Sequence, residues 1–242
     1  MILPPVTMVM TLYIPPIEGG FGRLQVAKQT IMSWGRYLNY AGELRLHIAD
    51  DTVRGFECTE ELLQFSPWPT SISHTQGKGL GGALNEGARQ ALEVSPLFIY
   101  ADDSYSLRDP LNLTSWARIL TEFGEPVNGQ KGIGAISLMP PRPEQRGGQV
   151  IEFGVETESV RAIRFERQGY TWNGRPFLYH RRFVEHYGVF PEGVSGYEWE
   201  RIYAERYVES PDGPEALQAI HDPWLHIWTV RLGDKPAGWE GT

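Results

Sequence analysis

The chain begins with an apolar stretch over residues 6–13, Val-Thr-Met-Val-Met-Thr-Leu-Tyr, that predicts a buried strand. Pro15, Pro16 and Gly19-Gly20 break it. Leu24, Ala27, Ile31, Trp34 and Leu38 then recur at alternating spacings of three and four, which predicts an amphipathic helix over 23–39. Leu44 to Ala49 reads as a second strand and ends in Asp50 and Asp51; residues 71–75 read as a short third one. A glycine-rich loop from Gly77 to Gly82 follows, and Leu84, Ala88, Ala91 and Leu92 mark the helix after it. Leu97 to Tyr100 is a further apolar run, of the kind expected of a parallel strand buried on both faces, and it stops abruptly at Asp102 and Asp103. Leu113, Trp116, Ala117 and Leu120 predict an inward-facing helix stripe near 111–123.

Strand and helix therefore alternate over the first half, which implies an α/β fold with a mostly parallel central sheet covered on both faces by helices. The second half is less regular. Residues 133–139 and 149–155 read as strands, 159–172 as a hairpin or a loop, and 179–187 and 196–207 as helices. Proline and glycine are frequent from 140 to 242, which suggests long functional loops. No internal repeat or low-complexity linker interrupts the chain, so residues 1–242 read as a single domain.

Composition narrows the function class. An apolar share of 41% and a charged share of 21% describe an ordinary globular protein, and no apolar run is long enough to span a bilayer. No Lys or Arg precedes Arg23, so the basic start of a signal peptide is missing, and a cytoplasmic location is expected. The single cysteine, Cys58, excludes an internal disulfide and a cysteine-rich zinc site. The net charge of −8 argues against a protein wrapped in a long-range positive field. Charge is nonetheless polarised: Arg161, Arg164, Arg167, Arg175, Arg181 and Arg182 crowd residues 161–182, with Glu166 the one acid among them.

The candidate chemistry lies where strands end. Asp50-Asp51 and Asp102-Asp103 terminate two strands of one parallel sheet, so both pairs fall on the edge where open α/β sheets bind ligands. Adjacent carboxylates repel unless a cation or a donor cluster compensates them, and hard oxygen ligands of this kind suit Mg²⁺ or Mn²⁺ on a diphosphate. The competing reading of Asp50 and Asp51 is helix capping or turn formation. Gly77-Lys78-Gly79-Leu80-Gly81-Gly82 precedes a helix, where backbone amides and the macrodipole favour an anion and Lys78 adds charge; it is not a Walker loop. Glu198 and Glu200 start a helix, either for the macrodipole or as a general base. His221 and His226 are candidates to complete a metal shell, or are structural.

In this order the motifs resemble the GT-A glycosyltransferases, in particular the inverting group around glycosyltransferase family 2. The resemblance covers about residues 6–207. It rests on the first strand with Thr11 and Tyr13, on Ile48-Ala49-Asp50-Asp51, and on Gly77 to Gly87 with Asn85. It rests also on the Asp102-Asp103 strand end and on the block HRRFVEHYGVFPEGVSGYEWERIYAERY, which is the most specific piece. The resemblance implies a GT-A, Rossmann-like fold with a nucleotide-sugar-binding half over about 1–110 and an irregular acceptor-binding, catalytic half over about 111–242. It implies that Asp50 binds the nucleobase in a pocket shaped by Thr11 and Tyr13, with Lys78 and Asn85 also on the donor. Asp102 and Asp103 stand for the family's Asp-x-Asp motif, whose acids lie two apart on one side of an extended chain. The favoured assignment is Asp103 on Mn²⁺ or Mg²⁺, with Asp102 on the ribose or on a metal-bound water. Glu198 is the preferred base and Glu200 its competitor.

The implied reaction moves a sugar from a nucleotide-diphosphate sugar to an acceptor hydroxyl with inversion. The cation stabilises the leaving diphosphate, and the glutamate takes the acceptor's proton. The expected acceptor contacts are Arg181, Arg182 and Trp172, because arginine forks grip phosphates and aromatics stack on bases. One acceptor of that chemistry is a hydroxymethylated pyrimidine in DNA, which for a phage-encoded chain puts the protein in the host cytoplasm; a saccharide or other small acceptor is the alternative. A sugar nucleotidyltransferase, or a binding module on an inactive transferase fold, are the rival classes.

Overall fold

The structure, a computed structural model, describes residues 2–14, 20–53, 57–126, 131–139, 149–155, 158–164, 176–221 and 223–226. Its frame is a nine-stranded sheet in the order β4-β3-β1-β5-β11-β8-β12-β10-β9. The first four strands are β4 (Thr70–His74), β3 (Leu44–Asp50), β1 (Val6–Leu12) and β5 (Leu97–Asp102), all mutually parallel. The antiparallel strand β11 (Phe177–His180) joins β5 to β8 (Ile133–Ser137), and β12 (Glu215–Ala219) runs parallel to β8. The hairpin of β9 (Val150–Val155) and β10 (Glu158–Arg164) completes the sheet. Following these pairings across the sheet, only β11 and β10 run against the other strands, so the sheet is mostly parallel in direction, as expected.

Helices cover both faces. The residues expected to point inward do so: Leu24, Ala27, Ile31 and Trp34 of α1 (Gly20–Tyr37), and Leu113, Trp116, Ala117 and Leu120 of α4 (Leu113–Phe123), are buried in one core cluster. The opposite face packs Leu80, Leu84, Ala88 and Ala91 of α3 (Gly79–Val94) with Phe183 and Tyr187 of α5 (Arg181–Tyr187). Trp199, Tyr203 and Tyr207 of α6 (Gly196–Glu209) complete this second cluster. Strand alternation sorts β5 between the two: Leu97, Ile99 and Ala101 face the α1 side, Phe98 and Tyr100 the α3–α6 side.

Several elements differ from expectation. The helix predicted at 179–187 is two elements, because Tyr179 and His180 belong to β11 and His180 caps α5 by accepting from the Arg182 N–H at 3.3 Å. The glycine-rich loop ends early, since Gly79 already opens α3. The sequence pattern did not mark β12 or β13 (Trp224–His226), which pairs with β6 (Tyr105–Leu107). Nor did it mark α2 (Glu57–Glu60), the 3-10 turn at Glu61–Phe65, or the small pair β2 (Leu38–Asn39) and β7 (Leu111–Asn112). Such short pieces carry too few residues for a period to show.

The edge strand β4 is pinned by one side chain. His47 of β3 is buried, and its Nδ1 and Nε2 hydrogen-bond the Ser71 and Ser73 hydroxyls at 2.8 and 2.9 Å. Burial pushes its imidazole down from 6.5 to about 4. The folded state thus holds the neutral ring while the unfolded chain takes up a proton below 6.5. This contribution is complete above pH 6.5 and is lost as pH falls toward 4, at up to about 1.4 kcal/mol per pH unit. Urea denaturation from pH 7 to 4 should show wild-type stability falling more steeply than that of His47→Gln. Equal slopes would show that His47 does not carry this dependence.

Candidate active site

β1, β3 and β5 end together, so the four acids expected at one edge do meet there. Each meets a different environment. Asp51 is buried, and its two oxygens clamp the start of α3: Oδ1 accepts from the Thr75 hydroxyl at 2.6 Å and the Lys78 N–H at 2.8 Å, and Oδ2 from the Gly79 N–H at 2.8 Å. Gly79 takes φ +78 at this point, a conformation that glycine adopts without strain. Asp51 is thus the cap for the glycine-rich turn, with both of its oxygens engaged there. Asp50 faces the other side, accepts from the Thr52 N–H at 2.9 Å, and lies 3.2 Å from His74 Nδ1.

The two acids of the Asp102-Asp103 pair take different partners, although their carboxyls stay close enough to interact with each other. Asp103 turns toward α1, is fully buried, and accepts from both Nε and Nη2 of Arg23, one on each oxygen. Asp102 turns to the Tyr100 side, is half-buried, and its Oδ1 accepts from the Ser104 N–H at 2.7 Å and from the Ser104 hydroxyl. Against burial, the Arg23 charge and the Ser104 hydrogen bonds hold the Asp102 carboxyl below its ordinary range. Burial and the Asp102 charge push Asp103 up, while Arg23 pulls it back. With a guanidinium N–H on each oxygen, Asp103 is the ionised half of an ion pair. Asp103, expected on the metal, is therefore the acid whose oxygens are already taken, and Asp102 is the one turned to the edge.

Two positions before Asp102, on the same face, stands Tyr100, where an Asp-x-Asp motif would carry its first acid. Burial first, and then the charges of Asp102 and Glu200 among others, push its phenol well above the ordinary range. Its hydroxyl is buried beside that of Thr11, which pairs across from Asp102, and the contact with Thr11 moderates the rise. Tyr13 is half-buried just beyond Thr11.

The acids of α6 separate as sharply. Ser195 caps the helix by accepting from the Glu198 N–H at 3.2 Å, so Glu198 is the exposed third residue of a capping-box sequence, the macrodipole reading above. Glu200 is buried, and its charge acts on the Tyr100 phenol. Asn85 holds the approach to this helix: its Nδ2 donates to the Phe190 carbonyl at 2.9 Å and to Glu192 Oε1 at 2.8 Å, and its Oδ1 accepts from the Phe190 N–H at 2.8 Å. Asn85 thus ties the α5–α6 loop to α3. Gly81 allows the approach, since a Cβ there would lie 1.9 Å from the Pro191 carbonyl oxygen. The Lys78 residue is exposed beside the clamp.

Arg181 and Arg182, expected at the acceptor, lie away from the acid edge. β11 runs against β5 and pairs His180 with Leu97, so both arginines follow at the amino edge of the sheet, opposite the acids. There Arg181 donates to the Leu92 carbonyl, and Arg182 donates to the Gly124 carbonyl at 2.7 Å and lies 3.5 Å from Glu125. These are helix-end carbonyls, and the arginines complement the C-termini of α3 and α4. Trp172 lies outside the described residues. His221 is exposed after β12; His226 is paired through its backbone with Tyr105, just past the acid turn, and its side chain lies outside what is described.

No protein-family model matches the chain, and no curated protein matches it in sequence. Solved structures do. The chain superimposes on S. aureus TarS 1-349 in complex with UDP with a TM-score of 0.61 and 12% identity, covering 90% of this chain and 59% of that one. Mannosyltransferase PcManGT from Pyrobaculum calidifontis, in complex with GDP-Man and Mn²⁺, gives 0.54 and 13% identity over 90% of this chain and 57% of that one. GalNAc-T7 with UDP, GalNAc and Mn²⁺ gives 0.57 and 15% identity over 99% of this chain and 46% of that one. These are GT-A glycosyltransferases. The chain has the GT-A fold. It spans about half the length of these relatives.

On the GT-A sheet the acid edge and the α6 acid share one side, while the clamp residues hold them there. Arg23 was missed by sequence reasoning, although a cation in the first turn of a helix, where anions are favoured, is a sign of a buried acidic partner. A divalent cation is compatible with this edge. Among the described residues no group of three or more His, Cys, Asp or Glu could hold a metal by itself. Mg²⁺ and Mn²⁺, however, are commonly held by one or two carboxylates together with substrate phosphates, and Asp102 supplies one.

The clamp generates a stability prediction. Asp51→Ala removes three charge-assisted hydrogen bonds and leaves the Lys78 and Gly79 amides uncapped, which should cost about 2–3 kcal/mol. Chemical denaturation measures it. A loss below about 0.5 kcal/mol would show that the turn does not depend on the clamp.

Proposed function

We propose that the chain is a glycosyltransferase domain that moves a sugar from a nucleoside-diphosphate sugar to an acceptor hydroxyl. The observation that carries this reading is the convergence, on one side of the carboxyl edge of a GT-A sheet, of Thr11, Tyr100 and Asp102 with Glu200 of α6. In α/β sheets of this kind, ligands bind at that edge. The nucleobase would meet Thr11, Tyr13 and Asp50, with the Lys78 ammonium near the phosphates. Asp102, with His226 as second candidate, would hold Mn²⁺ or Mg²⁺, which when bound supplies charge stabilisation of the leaving diphosphate.

Glu200 is the proposed general base. Its charge acts on the Tyr100 phenol, whereas Glu198 is exposed in the first turn of the helix, its N–H bonded to the Ser195 cap. Glu200 accepts the acceptor hydroxyl's proton as its oxygen attacks the anomeric carbon. The anomeric bond to the diphosphate breaks on the opposite face, and the configuration inverts. Tyr100 and Asp102 keep the surroundings of Glu200 polar while the aromatic residues of α5 and α6 form a rigid wall behind it. A DNA acceptor draws no support from Arg181 or Arg182, and Arg164 pairs with Glu215 at 2.9 Å. The acceptor is therefore proposed only as a hydroxyl compound.

Incubation with a panel of UDP- and GDP-sugars, with and without Mn²⁺, should show a rise in melting temperature for one donor and slow release of its nucleoside diphosphate. Failure of every donor to bind or turn over would favour a binding module on this fold. With the donor found, Glu200→Gln should lower turnover by roughly 10²–10⁴-fold with donor Kd nearly unchanged, and Glu198→Gln should cost little beyond stability. The reverse result would return the base to Glu198.

A further inference from the structure

A cavity of about 480 Å³ opens at the end of the sheet opposite the acids. β8 and β12 begin there, at Ile133 and Glu215, and β10 ends there at Arg164, which pairs across from Leu217. β8 and β12 run in the direction of β5, whose far end carries Asp102, so cavity and acids lie at opposite edges. The floor is apolar: Ile133, Phe153 and Leu217 are buried, and Ile151 is half-buried beside them. One wall is aromatic. Phe123, the last residue of α4, is 39% exposed, and its ring stands 5.5 Å from that of Phe153 at 53°. A concave space of this volume with such a floor suits a small molecule, and a half-exposed phenyl ring at its wall gains by being covered.

Charge selects the class of that molecule. The rim carries three acids, Glu122, Glu125 and Glu215, against two bases, Lys131 and Arg164. Both bases are engaged, Arg164 with Glu215 at 2.9 Å and Lys131 with the Pro211 carbonyl. Glu125 lies 3.5 Å from Arg182. Glu122 has no ion pair among the described residues. It stands in the last turn of α4, which holds no basic residue, so its charge adds to the negative end of the helix dipole instead of offsetting it. A cation held beside Glu122 and over the neighbouring Phe123 ring would meet an acid, a helix carboxyl end and an aromatic face together. We infer that this cavity binds an organic cation with an apolar body, an amine or quaternary ammonium whose charge meets Glu122 and Phe123 while its body lies on the floor. The site is independent of the glycosyltransferase reading, because none of these residues belongs to the groups proposed for the donor or the base.

The test is a titration followed by methyl NMR of the ¹³C-labelled chain, in which the δ1 methyls of Ile133 and Ile151 report on the floor. Three probes of similar shape and different charge are compared at pH 7: 2-phenylethylamine, 2-phenylethanol and phenylacetate. Both methyls should move, with the amine binding about fivefold more tightly than the alcohol and the acid binding least. Glu122→Gln should weaken the amine by about threefold or more and leave the alcohol unchanged, whereas Phe123→Ala should weaken both. Glu122 and Phe123 are exposed positions, so neither variant removes a buried core side chain. Tightest binding of phenylacetate, equal binding of amine and alcohol, or no movement of these methyls with any probe overturns the inference. So does a Glu122→Gln variant that binds the amine as wild type does. Saturating UDP or GDP should leave the amine titration unchanged, and displacement of the amine by either would show that the site is not separate. Failure of every nucleotide sugar to bind would remove the glycosyltransferase reading and leave this site standing.

Discussion

Carboxylates at the ends of parallel strands must be compensated before a sheet can close around them, and that requirement organises the acid edge. Asp51 is compensated by backbone amides at the start of α3, which also sets where that helix begins. Asp103 is compensated by Arg23, which fixes the start of α1 against the end of β5. Asp50 accepts from its own turn at Thr52 and neighbours His74. Asp51 and Asp103 therefore have both oxygens held by structural partners, while Asp50 keeps one oxygen beside His74. Asp102 is the one left half-buried at the edge, with a serine hydroxyl and amide to orient it. The same electrostatic cost that shapes the fold thus leaves one acid facing outward.

The second side of the site depends on packing rather than charge. Phe183, Tyr187, Phe190, Tyr203 and Tyr207 form a continuous aromatic layer, with Phe190 and Tyr203 stacked at 4.5 Å between centroids and Phe183 and Tyr187 tilted against each other at 4.6 Å. This layer anchors α6 on the sheet. The loop before α6 is then fixed by Asn85 and by close contact of Gly81 with Pro191. Glu200 follows Trp199 on the flank of the buried stripe, so its direction is set by a wall of rings. A helix end tied at three points presents its acids with little freedom, and that is what a positioned base requires.

Much of this was legible in the chain. The periods of α1, α3 and α4 and the apolar runs of β1, β3 and β5 were strong enough to give the alternation and hence the parallel half. That the acids would share one edge followed from it. What could not be read was which way each acid turns. Asp102 and Asp103 are neighbours in sequence, yet they take different partners, and the one that claims Asp103 lies on a helix eighty positions away. The choice between Glu198 and Glu200 is open in the sequence for a similar reason: the Ser195-to-Glu198 spacing fits a capping box as well as a general base, and only the fold shows which acid is buried.

The arginine-rich stretch shows the same limit on a larger scale. The block from His180 to Tyr207 is continuous in sequence, but the sheet divides it. Because β11 runs antiparallel to β5, the chain leaves the sheet at the amino edge, and Arg181 and Arg182 are used there to complement helix ends. Only after α5 and the loop held by Asn85 does the chain return to the acid edge, where α6 begins. A single reversed strand therefore separates residues that a linear motif presents as one site. Charge clustering along a sequence reports a shared surface only when no such reversal intervenes, and here the direction of β11 takes the arginines to helix ends while Glu200 comes near Tyr100.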